Sequence, residues 1–166
     1  MRAKCGWLAA MAGAMALAAS VSDAAAGDIR PLQPRAGRLL EDGLRRSPSL
    51  AALVADLRES DVVVYVDLEG DERQLLGALR FMGAAGGTRF VRVWLQPRSS
   101  DHELVPLLAH ELQHAVELAR TPSARSPEAF EALFQAIGRS GRPGRYETGA
   151  AQEVAERVRG ELRTGR

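Results

Sequence analysis

The run from Leu104 to Val116, LVPLLAHELQHAV, constrains this chain more than any other stretch. Leu104, Val105, Leu108, Leu112, Ala115 and Val116 recur at helical spacing and gather on one side of a helix. That side must pack against other apolar surface. His110 and His114 project from the opposite flank, four residues apart and therefore one turn above the other. Glu111 stands at the boundary between the two faces. The pattern predicts a helix buried on both sides, with a polar group on one of them. Two imidazoles placed this way can bind one Zn²⁺, and Glu111 of the H-E-x-x-H run can act as general base toward a water that the ion activates.

The rest of the chain supplies the expected surroundings. Gly27 to Pro34 carries two prolines and reads as an extended lead-in. Arg35 to Arg46 forms a helix with Leu39, Leu40 and Leu44 as its apolar face. Ser47-Pro48 starts another, since Ser caps and Pro fits the first helical position; Leu50, Leu53, Val54 and Leu57 make its stripe. Val62 to Val66 is a β-branched run and reads as a buried strand. Glu69 to Glu72 is a turn, Leu75 to Met82 reads as a second strand with Leu75 to Leu79 compatible with a helix as well, Gly83 to Gly87 is a turn, and the alternating Thr88 to Gln96 a third strand. Ser100 and Glu103 resemble a capping box, but Pro106 would then lie deep in the helix, so a start near His102 or Glu103 is expected, with an end near Arg120. Ser126-Pro127 opens a further helix, Gly138 to Gly144 is a flexible basic loop, and the last helix runs from about Glu147 to Arg163. The expected fold is α+β: a small, mostly antiparallel three-stranded sheet packed on the histidine-bearing helix and its flanking helices.

The N-terminal segment is expected to lie outside this domain. Arg2 and Lys4 precede an apolar run from Trp7 to Ala19, and small residues follow at Ser22-Asp23-Ala24 and Ala24-Ala25-Ala26. That is the pattern of a secretory signal peptide, residues 1–26, removed between Ala24 and Gly27; residues 27–166 form one domain. The apolar run is shorter than the roughly 20 residues of a spanning helix, so no stable membrane anchor is expected after cleavage. The single cysteine, Cys5, leaves with the signal, and a core without disulfides must hold the remainder. Removing Arg2, Lys4 and Asp23 from 22 basic and 21 acidic residues leaves a net charge of zero. That balance gives no reason to expect a nucleic-acid partner.

A catalytic zinc ion needs three protein ligands and an open position. His102 is eight residues before His110, about 12 Å along one helix, too far to share an ion. Otherwise it sits at a helix N-terminus, where the macrodipole disfavours a cation. A carboxylate remains. Ala151, Val154, Val158 and Leu162 form the stripe of the last helix, and Glu147 is one turn before Ala151, so it faces the core as an isolated charge unless paired or metal-bound. Glu147 is the expected third ligand; Glu153, on another face, is the alternative.

With these residues in place the chain resembles the zincin metallopeptidases, and within them the gluzincin branch: H-E-x-x-H on one helix and Glu147-Thr148-Gly149-Ala150 matching the later Glu-x-x-Ala. The resemblance is to the small, minimal gluzincins and covers most of residues 27–166. It implies a Zn²⁺ cofactor held by His110, His114 and Glu147, with Glu111 as the catalytic base. Many gluzincins follow the alanine with an Asp that supports a ligating histidine; this chain has Ala151 there. Glu117, one turn after His114, is the available substitute, against the plainer reading of a solvated helix charge.

Two functions follow. One is an exported zinc-dependent hydrolase, most simply a metallopeptidase acting on a peptide or protein that a free strand edge, Thr88 to Gln96, would align. The other is a non-catalytic, zinc-stabilised periplasmic binding module on the same scaffold. Tyr146, beside Glu147, reads as core packing that can reach the site. No oxyanion donor, oligomeric state or substrate preference is legible.

Overall fold

The computed structural model describes residues 27–68, 76–142 and 145–164. The expected signal segment and the expected turn at Glu69 to Glu72 lie outside these residues. Among the described residues, no helix is long and apolar enough to cross a membrane.

The chain opens with strand β1 (Asp28–Pro31), followed by helices α1 (Pro34–Arg46) and α2 (Pro48–Arg58) and strand β2 (Val62–Asp67). Ser47 caps α2 as expected: its Oγ accepts the Leu50 N–H at 3.0 Å, with Pro48 as the first helical residue. Strand β3 (Gly77–Ala85) then turns back into β4 (Thr88–Leu95). Gly86 and Gly87 have φ of 56° and 86°, which a two-residue hairpin turn between right-twisted strands requires. The turn is therefore confined to these two residues, and β3 continues past Gly83, where the register shifts after Phe81.

The sheet differs from the expected one. It has four strands in the order β1-β2-β4-β3. β1 and β4 both pair with β2 in parallel, and only β3 pairs antiparallel, with β4. The proline-bearing lead-in is an edge strand, a place that tolerates a missing N–H. Val62, Val63, Val64 and Val66 are all buried, the mark of a strand covered on both faces inside a parallel arrangement rather than of a meander. Thr88 to Gln96, expected as a free edge, is instead the interior strand β4. The edge next to the helix carrying the histidines is β3, whose second side is unpaired among the described residues.

Helix α3 (Asp101–Ala119) lies in the middle of the molecule. Leu104, Leu108, Leu112 and Ala115 share one core with Val64 and Val66 of β2 and Val91 and Val93 of β4. Each such Val or Leu contributes about 1.5–3 kcal/mol by leaving water. The helix starts at Asp101, earlier than expected. Glu103 accepts hydrogen bonds from the backbone N–H and hydroxyl of Ser100 at 3.0 and 2.8 Å. Pro106 is tolerated as an interior residue at the cost of one backbone bond near the end of the first turns.

The other end of α3 is fastened by Arg89, expected as a polar residue of an alternating strand but wholly buried. Its guanidinium donates to the carbonyls of Leu118, Thr121 and Ala119 at 2.6, 2.8 and 3.2 Å and pairs with Asp61. It thus adds donors to carbonyls at and just past the helix terminus and sets a cation at the negative end of the macrodipole.

Helix α4 (Pro127–Ile137) starts at Ser126-Pro127, as the sequence indicates, with Ser126 Oγ accepting the Ala129 N–H. The segment expected as a flexible loop is a small hairpin, β5 (Arg139–Arg142) and β6 (Arg145–Glu147). Helix α5 (Gly149–Thr164) closes the fold. Its stripe of Ala151, Val154, Val158 and Leu162 is buried as expected, but Glu147 is not on it. Thr148 Oγ1 accepts the Ala151 N–H at 3.2 Å, so Thr148 is the cap of α5 and Glu147 is the last residue of β6.

Candidate metal centre

Helix α3 brings His110 and His114 into direct contact. Their rings meet edge to face, centroids 4.9 Å apart, and the two Nε2 atoms face each other at 3.2 Å. Behind His114, its Nδ1 is 2.9 Å from Glu117 Oε2. A carboxylate there accepts a hydrogen bond from Nδ1–H, and in that tautomer the Nε2 lone pair faces His110. Phe134 of α4 packs edge-on against the His114 ring at 5.3 Å and fixes its plane.

Glu117 is therefore not the solvated helix charge of the plainer reading. Only 11 % of its side chain is exposed, and its second oxygen accepts the Thr148 hydroxyl at 2.7 Å. Thr148 itself was not singled out from the sequence. The signal was present, since Thr148-Gly149-Ala150-Ala151 reads as a cap opening a helix.

Glu147 reaches the pair from the end of β6. Its Oε2 is 3.3 Å from His110 Nε2. The expectation that it faces the core is corrected: 55 % of its side chain is exposed, because a strand residue ahead of the helix escapes the buried stripe. Among the described residues, no group of three or more His, Cys, Asp or Glu side chains is gathered tightly enough to enclose an ion. Of the three contacts that His110, His114 and Glu147 could make with one another, two are formed, both at His110, and the third edge, between His114 and Glu147, stays open.

The alternatives are not brought to the pair. His102 is exposed in the first turn of α3. Glu153 is exposed on α5, in the wall of a separate hollow between α2, α3 and α5 with Gln113, Arg120 and Arg157.

Glu111 is buried beside the pair, and desolvation pushes its carboxyl up to about 7, against the pull of His114 and with a further push from Glu147. Burial also lowers the basicity of His110, and the neighbouring His114 adds to that. Burial disfavours the charged form of each group, which raises the carboxyl and lowers the imidazole.

A cavity of about 460 Å³ opens over these groups. One wall is β3 from Gly77 to Phe81, and another is α4, where Phe130 stands between Phe81 and Phe134 at centroid distances of 5.7 and 4.8 Å. Tyr146 stacks beyond Phe134, its hydroxyl donating to Glu131 at 3.1 Å. Tyr146 thus belongs to the cavity wall rather than to the core. Comparison with family models, with curated proteins and with solved structures finds no match for this chain.

Proposed function

We propose that this chain is an exported zinc-dependent hydrolase, most simply a metallopeptidase of gluzincin type. The observation that carries the reading is the facing pair of imidazole nitrogens. Ligand atoms about 2.0–2.1 Å from a tetrahedral zinc stand roughly 3.3 Å from one another. The separation of His110 Nε2 from His114 Nε2 is 3.2 Å, and from Glu147 Oε2 it is 3.3 Å. Two imidazole nitrogens and a carboxylate suit zinc and leave a fourth position free. Glu147 is exposed enough to swing its carboxylate toward the open edge.

In this reading His110, His114 and Glu147 hold the ion, and Glu117 keeps His114 in the tautomer that offers Nε2. Bound zinc supplies the Lewis acidity that polarises a carbonyl and acidifies water. Glu111 takes a proton from the attacking water on its carboxylate and returns it to the leaving amine nitrogen. The unpaired side of β3 aligns an extended peptide by strand addition, in place of the edge first expected at Thr88 to Gln96. The aromatic wall from Phe81 to Phe134 accepts an apolar side chain next to the scissile bond and excludes water from it.

A peptide-library digest with the wild type and Glu111→Gln tests the chemistry. The variant keeps its metal and fold and loses at least the ~10²–10⁴-fold of a general base. Equal cleavage by both proteins would sink the mechanism. The second reading, a non-catalytic zinc-stabilised binding module, has the open third edge of the ligand triangle in its favour, and it predicts no cleavage by either protein.

A further inference from the structure

The junction between β6 and α5 touches both histidines. Glu147 contacts His110 directly. Thr148, the next residue and 4 % exposed, reaches His114 through Glu117. The hydrogen bonds converge on the Glu117 carboxylate. The Ala151 N–H donates to Thr148 Oγ1 at 3.2 Å, the Thr148 hydroxyl donates to Glu117 Oε1 at 2.7 Å, and Glu117 Oε2 accepts from His114 Nδ1 at 2.9 Å. Because Thr148 Oγ1 already accepts the cap bond, its own proton is directed at Glu117. That leaves the other carboxylate oxygen as the acceptor for His114. Glu117 thus meets both partners at once, and the Thr148 hydroxyl holds one of its two oxygens.

We propose that Thr148 is a positioning residue for the metal centre, acting on His114 through Glu117, and that this Thr-Glu pair replaces the acidic residue that Ala151 does not supply. The proposal rests on the zinc reading for its consequence and on the three hydrogen bonds for its geometry. A methyl in place of the hydroxyl lets the Glu117 carboxylate rotate away, and His114 then loses its fixed tautomer and ring orientation. Partners of this kind are worth roughly 10–100-fold in metal affinity.

The test uses residues 27–166 of the wild type, Thr148→Val, Thr148→Ser, Glu117→Gln and the double variant, each stripped of metal and titrated with Zn²⁺ against a chromophoric chelator. Thr148→Val is expected to bind zinc about tenfold more weakly, the low end of that range, with Thr148→Ser restoring the affinity. The double variant should bind as Glu117→Gln does, since two residues in one chain of bonds are not additive. Wild-type affinity in Thr148→Val overturns the proposal. So do losses that add, because a frayed α5 weakens binding whatever stands at 117. Imidazole ¹⁵N spectra of the metal-free proteins keep the geometry testable by itself. Thr148→Val should lose the Nδ1–H tautomer of His114, and an unchanged spectrum overturns the proposal. A wild type that binds no zinc refutes the metal reading, and the spectra alone then judge the link.

Discussion

A Cβ on Gly77 would stand 3.0 Å from Glu111 Oε1 and 3.2 Å from the Leu107 side chain. The first residue of β3 therefore lies directly over Glu111, and a Cβ there requires the Glu111 or Leu107 side chain to give by a few tenths of an ångström. Gly77→Ala must displace one of the two neighbours, and Gly77→Val more so. Peptide hydrolysis is expected to fall in the order Gly, Ala, Val, with kcat falling more than KM rises, while zinc content stays at one per chain. A Gly77→Val enzyme with unchanged kcat would show that Glu111 works from a position away from β3.

Removing the metal should cost stability as well as activity. In the proposed centre the ion would be held by side chains from α3 and from the end of β6, and would tie the C-terminal third to the middle of the molecule. A ligand present at 100 times its dissociation constant stabilises by about 2.7 kcal/mol. Chelation is expected to lower the melting temperature of the wild type and to leave that of His114→Ala unmoved. Equal shifts in both proteins would exclude His114 from the site.

Arg89 should be the costliest polar residue to lose. Its removal leaves Asp61 with Arg125 alone and takes a donor from the carbonyls of Leu118, Ala119 and Thr121 at and just past the end of α3. Arg89→Leu is expected to destabilise by about 3–5 kcal/mol in denaturant unfolding, the range for breaking a buried pair. A loss under about 1 kcal/mol, as for exposed pairs, would contradict the buried geometry.

Asp61 gives the pH dependence. Desolvation pushes its pKa up, but hydrogen bonds from Arg89 and Arg125 outweigh that and hold it below the ordinary value of 3.8. A carboxyl whose folded pKa is depressed contributes stability that is complete above its unfolded pKa of about 3.9 and is lost as the pH falls through the folded value. Asp61→Asn should therefore lower stability at neutral pH and flatten its decline below about pH 4. A parallel decline in both proteins would assign the acid sensitivity elsewhere.

If the chain is exported as proposed, its N-terminus is expected between Ala25 and Asp28, from the basic, apolar and small-residue order of the first 26 residues. Terminal sequencing of the exported material checks it. Intact chain starting at Met1 in a membrane fraction would mean an anchor.

Helix α3 and its three polar residues are legible because the helical period fixes which residues share a face whatever the neighbours are. Strand order is not of this kind. Nothing in Thr88 to Leu95 says that β2 lies on one side of it and β3 on the other, so the interior strand reads as an edge. Val62 to Val66 carries a hint, since an unbroken apolar run belongs to a strand covered twice. Glu147 is assigned to a helix because counting back from Ala151 is indifferent to where the helix begins. Thr148, as a cap, decides that point. Glu117 has the correct spacing from His114, but its role depends on Thr148 arriving from 31 residues away.

That distance along the chain has a consequence for the order in which the site is made. A chain emerging from its N-terminus presents the imidazole pair, the base and most of the sheet before the hairpin and α5 exist. At that stage His110 and His114 have neither Glu147 nor the Thr148 clamp, and any ion they meet is held by two nitrogens on one turn. In the proposed centre, selective capture of an ion would thus wait until α5 is made, and a chain that stops short of it carries the H-E-x-x-H motif without the Glu147 and Thr148 side chains.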